Sequence, residues 1–274
     1  MVIYLFSDKA FEPQSILCIK SLYKRIPDDV KIVYFTIGFN SDFELKNLYK
    51  YYIDYNPNFD RFTYYKPDIS LKVMSLFPNE CYIYTDSDIL FSSKFTIDNV
   101  INSTLSYPIG SFGPHEYPFT FDDVDGGRTY YNETLLMNYF NVSARSMRYV
   151  WACFFSFNPQ CKDFMEEWSS MCNNRYLYDK RKFYFPFYDE TSFNVCLWKR
   201  NATKSLGFAF VNTHRADMII KCENSKDIKN EYGHNYDKLG ADWEYINNSE
   251  NIMFYHGFKD IEETSAAVNF LLTK

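Results

Sequence analysis

The sequence predicts an α/β fold, with a mostly parallel central sheet flanked by helices in a single domain. Three observations carry this. Short apolar runs alternate with segments whose apolar positions recur at helical spacing. Val2 to Phe6 is apolar on both faces, as a strand covered on both sides is, and Cys81 to Thr85 is a short apolar, aromatic run that reads as a buried strand. No linker or internal repeat divides the 274 residues, and 46% of them are hydrophobic, enough for one large core.

Val2 to Phe6 reads as the first strand and stops at Ser7-Asp8. Glu12 to Arg25 follows as a helix: its apolar positions at Ile16, Leu17, Ile19, Leu22 and Tyr23 give an amphipathic pattern, Pro13 suits the first turn and Pro27 follows the end. Val30 to Phe35 is the second strand. Asp42 to Ile53 is expected as a second helix, with Phe43, Leu45, Leu48, Tyr49 and Tyr52 buried. Arg61 to Tyr65 is expected as a short strand, and Ile69 to Phe77 as a short helix closed by Pro78. The strand Cys81 to Thr85 then runs into Asp86-Ser87-Asp88. Ligands of such sheets bind beyond the carboxyl ends of the strands, where both Ser7-Asp8 and Asp86-Ser87-Asp88 fall.

The second half is less regular. Tyr107 to Phe112 and Tyr149 to Phe157 read as strands. Pro159 to Cys172 is an amphipathic helix, with Cys161, Phe164, Met165, Trp168, Met171 and Cys172 on one face. Asp189 to Trp198 is a further helix, Lys204 to Val211 and Ile252 to His256 are strand candidates, and Ile261 to Leu272 is a terminal helix. His115 to Tyr130 is turn-rich and acidic and reads as a surface loop able to act as a lid. Its Asp122, Asp123 and Asp125 lack the spacing and distal Glu of a calcium loop.

Bulk chemistry excludes several classes. A net charge of −6 without a Lys/Arg block argues against a nucleic-acid partner. Only nine Gly occur, with no G-x-G-x-x-G after the first strand and no P-loop, which disfavours dehydrogenases and NTPases. The four His have no H-x-x-x-H spacing, so a preassembled zinc site is not expected. Seven Cys without C-x-x-C read as free thiols of a reducing compartment. The five apolar residues at the start are too short for a signal peptide, and no run is long enough for a transmembrane segment. The expectation is a soluble, cytoplasmic protein. The 25 Tyr suit surfaces that stack on sugar rings or bases.

Two readings of Asp86-Ser87-Asp88 stay open on the residues alone. One is a turn capped by Asp and Ser after a strand. The other is a cation site: carboxylates at i and i+2 point the same way if the chain stays extended, and hard oxygen ligands suit Mg²⁺ or Mn²⁺ carrying a diphosphate.

The order of motifs resembles the nucleotide-sugar glycosyltransferases of the GT-A (Rossmann-like) fold. It is most similar to the retaining families that include glycogenin and bacterial galactosyltransferases (family 8) or the blood-group transferases (family 6). Val2-Ile3-Tyr4-Leu5-Phe6-Ser7-Asp8 resembles the base-binding first strand, and Tyr82 to Leu90 the strand with its Asp-x-Asp motif. Tyr188-Asp189-Glu190-Thr191-Ser192-Phe193-Asn194 resembles the Asp-Glu-Ser-x-Leu-Asn or Asp-Gln-x-x-x-Asn segment, and Phe254-Tyr255-His256-Gly257-Phe258-Lys259 the late His segment. The chain departs from the pattern in lacking the longer His-x-x-Gly-x-x-Lys-Pro-Trp ending and in carrying Trp151-Ala152-Cys153 where Asn-x-Gly is usual.

The resemblance implies a nucleotide-binding half over 1–92 and an acceptor and catalytic half over 93–274. It implies Mn²⁺ or Mg²⁺ held by Asp86, Asp88 and His256, and a donor that is a nucleoside-diphosphate sugar, UDP-sugar first and GDP-sugar second. Asp8 and Ser7 would contact base or ribose, and Asp86 could instead hold the ribose and donor sugar. Lys72 would lie near donor phosphate or sugar, and Lys259 near the β-phosphate. Glu190 would act at the anomeric carbon as nucleophile or charge stabiliser, and Asp189 would position sugar hydroxyls. Trp151, His115 and Tyr117 are acceptor-wall candidates, for a glycan or glycoprotein acceptor. Without an anchor, the chain is similar to soluble bacterial, phage or large-virus transferases.

Blander roles stand beside these. Asp8 can cap a turn, Lys72 can be a solvated surface residue, Trp151 can be core, and Asp189-Glu190 can be an acidic helix start favoured by the dipole. An inverting enzyme, with Glu116, Asp123 or Asp125 as base, and a non-catalytic nucleotide- or carbohydrate-binding domain are the alternatives.

Overall fold

The computed structural model describes residues 1–56, 62–112, 120–122, 128–130, 137–174, 188–207, 209–213, 215–224 and 252–274. His115, Glu116, Tyr117, Asp123 and Asp125 lie outside them, as does most of the expected acidic lid. The fold is α/β, with a mostly parallel central sheet flanked by helices. The chain falls into two compact units. One comprises Met1–Tyr55, Cys81–Ile101 and Leu206–Lys274, the other Asn56–Glu80 and Asn102–Ser205.

The first unit holds β1 (Val2–Ser7), α1 (Glu12–Tyr23), β2 (Lys31–Ile37), β3 (Leu48–Ile53) and β4 (Tyr82–Thr85). The four strands are parallel in the order β3-β2-β1-β4, with Tyr4 opposite both Val33 and Tyr84. Val2, Ile3, Tyr4 and Leu5 are fully buried. This explains why the strand carries no polar alternation, and each such side chain contributes about 1.5–3 kcal/mol on burial. Tyr4 and Tyr84 meet at 5.4 Å between ring centroids, so neighbouring strands are joined by aromatic packing as well as by hydrogen bonds.

The expected helix over Asp42 to Ile53 is corrected: Leu48–Ile53 is a strand, paired with β2 from Ile32–Leu48 to Ile37–Ile53. Tyr49 and Tyr52, expected to be buried, are 42% and 50% exposed. Leu-Tyr-Lys-Tyr-Tyr-Ile is dense in aromatic residues that suit a pleated surface, and pairing with β2 satisfies its backbone groups. Gly38, at φ +75°, reverses the chain after β2, and its N–H donates to the Ile53 carbonyl at 2.9 Å. The crossover back to β3 is a loop without a helix.

A second, three-stranded sheet completes this unit. β10 (Phe210–Asn212) pairs in parallel with β11 (Phe254–His256), and β11 pairs antiparallel with β5 (Ile89–Phe91). The helices α5 (Ala216–Asn224) and α6 (Ile261–Thr273) pack beside it, burying Leu90, Ile219, Tyr255, Phe258, Val268 and Leu271 in one cluster. Asp260 caps α6, its Oδ1 accepting from the N–H groups of Glu262 and Glu263, each at 2.9 Å.

The second unit begins with α2 (Tyr65–Leu76). The strand expected over Arg61 to Tyr65 is replaced by a 3-10 turn at Phe62–Tyr64 running into this helix. Pro67 sits in its first turn, where a missing N–H costs nothing, and Asp68 favours the same end. β6 (Ile109–Phe112) pairs antiparallel with β9 (Val150–Phe157), and a short ladder joins β7 (Thr120–Asp122) to β8 (Arg128–Tyr130) inside the expected loop. α3 (Lys162–Asn173) and α4 (Tyr188–Lys199) pack together, with Trp168 and Phe193 edge to face at 4.8 Å. All seven cysteines are free thiols, six of them buried. No helix among the described residues is long and apolar enough to cross a membrane.

Candidate metal centre

Asp86 follows β4 directly, at the edge where β1 ends in Ser7. Ser87 and Asp88 form a turn, so the chain does not stay extended through the motif. The turn is pinned from two sides: Ser87 Oγ donates to the Phe6 carbonyl at 3.0 Å and pairs with Ser15 Oγ of α1 at 2.9 Å. Cys18 Sγ donates to the Asp86 carbonyl at 3.7 Å. Burial, above all, raises the Cys18 thiol pKa, and Asp88 and Asp86 raise it further against a Thr85 hydrogen bond. The thiol therefore stays neutral beside the carboxylates.

The third member arrives by strand pairing. β11 lies antiparallel to β5 with His256 opposite Ile89, so the imidazole comes to the residue before Ile89, Asp88. Gly257 and Phe258 donate backbone N–H groups to the Asp88 carbonyl at 3.1 and 3.3 Å. His256 Nε2 stands 3.6 Å from Asp88 Oδ1, with both side chains less than a fifth exposed. Ligand atoms of Asp86, Asp88 and His256 all lie within 4.8 Å of one another, the one such cluster of three among the described residues. The convergence expected of Asp86 and Asp88 is thus reached through a turn rather than along a strand.

The donor set fits a divalent cation. Two ligands at about 2.2 Å from one ion stand about 3.1 Å apart when adjacent and about 4.4 Å when opposite. The 3.6 Å between His256 and Asp88 falls in that interval. Two carboxylates in one cluster repel each other, a cost that a bound cation reverses. Two carboxylates with one imidazole suit Mn²⁺ better than Mg²⁺, which prefers oxygen alone.

Tyr84 is a site residue that sequence reasoning missed. Its hydroxyl donates to Asp86 Oδ1 and fixes that carboxylate. The i and i+2 spacing of Tyr84 and Asp86 was the available signal.

Ser7 is buried, its hydroxyl 2.6 Å from that of Tyr34. Asp8 Oδ1 accepts from the Phe11 N–H at 3.0 Å and so caps the turn before α1. Lys259 is exposed, and its carbonyl accepts from Gln14 Nε2 at 2.7 Å.

In the second unit, Lys72 is an exposed residue of α2. Lys66, six residues earlier, is the buried lysine: its Nζ lies 3.2 Å from Asp189 Oδ2 and donates to the Ala152 carbonyl at 2.9 Å. Sequence reasoning missed it by starting the helix at Ile69. The helix start Asp189-Glu190 holds one buried carboxylate, in that ion pair, and one half-buried one. Glu190 Oε2 accepts from the Ala152 N–H at 3.4 Å. Trp151 is half-buried on β9.

Compared with protein-family models and with curated proteins, the chain matches none.

Proposed function

We propose that this chain is a metal-dependent glycosyltransferase that moves a sugar from a nucleoside-diphosphate sugar to a hydroxyl of a glycan or glycoprotein acceptor, with retention of configuration. One observation carries the reading: Asp86, Asp88 and His256 converge within 4.8 Å beyond the carboxyl end of a strand in a parallel sheet. A UDP-sugar is the favoured donor and a GDP-sugar the next.

Transfer breaks the anomeric C–O bond and leaves negative charge on the diphosphate. A bound Mn²⁺ or Mg²⁺ supplies charge neutralisation for that leaving group without proton transfer. Asp88 and His256 would hold the ion, and Asp86, oriented by Tyr84, would share it or receive the ribose. Asp8 is the polar group offered to base or ribose, since Ser7 is occupied with Tyr34. Lys259 and Lys72 are the candidate cations for phosphate. Glu190 is the proposed nucleophile or stabiliser of the oxocarbenium face, and Asp189 the group for sugar hydroxyls.

The test is a thermal-shift panel of UDP-, GDP- and dTDP-sugars with Mn²⁺ or with chelator, followed by turnover of the donor that binds. Donor at 100 times Kd adds about 2.7 kcal/mol, a rise of roughly 5–10 °C in a chain of this size. Full activity of Asp88→Ala in chelator would overturn the reading. A binding domain without turnover is the second reading, favoured by the engagement of Asp189 with Lys66. Mn²⁺-dependent donor binding with neither hydrolysis nor transfer would establish it.

A further inference from the structure

The metal-site residues come from two places far apart in the chain, and something must hold them in register. The backbone after His256 does this. Gly257 adopts φ +105°, a conformation that residues with a Cβ rarely take. That bend lets Gly257 and Phe258 turn both N–H groups onto the Asp88 carbonyl. Phe258 is fully buried in the cluster under α6, which anchors the middle of the loop. Asp260 begins α6 as its cap. Between these two anchors the Lys259 carbonyl accepts from Gln14 Nε2 at 2.7 Å. Gln14 lies in the first turn of α1 and is nine-tenths buried, next to Ser15, which holds Ser87.

We infer that residues 257–260 form a clasp that locks His256 against Asp88, and that Gln14 is the positioning residue that closes it. This rests on the proposed metal site. Gln14 contributes no ligand atom to the cluster. Its amide ties the far end of the clasp to the helix whose next residue pins the Asp-Ser-Asp turn, so both halves of the ligand set are referred to α1. The clasp makes the site preorganised: the ion need not order the His256 segment on binding. Partners bonded directly to metal ligands commonly set affinity by about 10–100-fold, and Gln14 acts one step further out, through the Lys259 carbonyl, so its effect is expected at the lower end of that range.

The experiment measures Mn²⁺ binding to the purified full chain by the electron paramagnetic resonance signal of free Mn²⁺, without donor or turnover. Gln14→Met keeps the length and removes the donor; Gly257→Ala strains the bend. Both are expected to raise the Mn²⁺ dissociation constant about tenfold. Unfolding of Gln14→Met in chelator is expected to move little, which separates positioning from general loss of fold. In an Asp88→Ala background, Gln14→Met is expected to have no further effect on residual Mn²⁺ binding. Wild-type affinity in both single variants would overturn the clasp and leave the metal site standing. Absence of Mn²⁺ binding by the unaltered chain would overturn both.

Discussion

Lys66 Nζ lies 3.2 Å from Asp189 Oδ2, and the two side chains are only 6% and 7% exposed. α2 thereby holds the acidic start of α4, where Trp168 Nε1 also donates to the Asp189 carbonyl at 2.8 Å. A buried pair of this kind is weak evidence for net stability, because desolvation offsets the attraction, but removing one partner strands the other. Lys66→Met is therefore expected to cost about 3–5 kcal/mol in urea unfolding. The double variant Lys66→Met/Asp189→Leu is expected to recover most of that loss. A single variant costing less than about 1 kcal/mol would show that the Asp189 charge is solvated rather than paired.

The thiols give a second prediction. Burial raises the pKa of Cys18 and, well above its ordinary value, that of Cys196, and nucleophilic attack needs the thiolate. Cys81, just before β4, is the one cysteine of the seven that is partly exposed. Native protein treated with an aromatic disulfide reagent at pH 8 is expected to release about one equivalent quickly, and all seven after denaturation. Rapid modification of Cys18 would mean that α1 lifts from the Asp86 backbone.

How far the site could be read from sequence depends on the range of the contacts that build it. β1, β2 and β4 were legible because each is a short run dominated by aliphatic and aromatic residues. Asp86 and Asp88 were legible as a candidate because they end such a strand. β3 was not, since Leu48, Tyr49 and Tyr52 fit helical spacing as well as a pleated edge, and pairing with Ile32 to Ile37 decided the matter. The approach of His256 to Asp88 depends on β11 pairing with β5, a long-range register that no local pattern encodes. Lys66 was not legible because the expected helix began at Ile69 and because a lysine's burial follows from its partner, which lies in another helix.

Glu167 gives a prediction with a defined sign. It lies in α3 and hydrogen-bonds to Lys199 and Arg200 at the end of α4. Burial alone would raise its pKa, but the hydrogen bonds and charges of Lys199 and Arg200 outweigh this and lower it below the ordinary value of 4.5. A carboxylate depressed in the folded state contributes stability that is fully present above the unfolded pKa and disappears as pH falls through the folded one. Glu167→Gln is expected to lose about 1 kcal/mol at pH 7, given the partial exposure of the pair. The gap between variant and wild type is expected to close as pH falls below 4.5, the range in which the native carboxylate takes up its proton. Urea unfolding of both proteins at pH 7, 5, 4 and 3 checks this. A difference that stays constant across the series would show that packing around the Glu167 stem, and not its charge, joins α3 to α4.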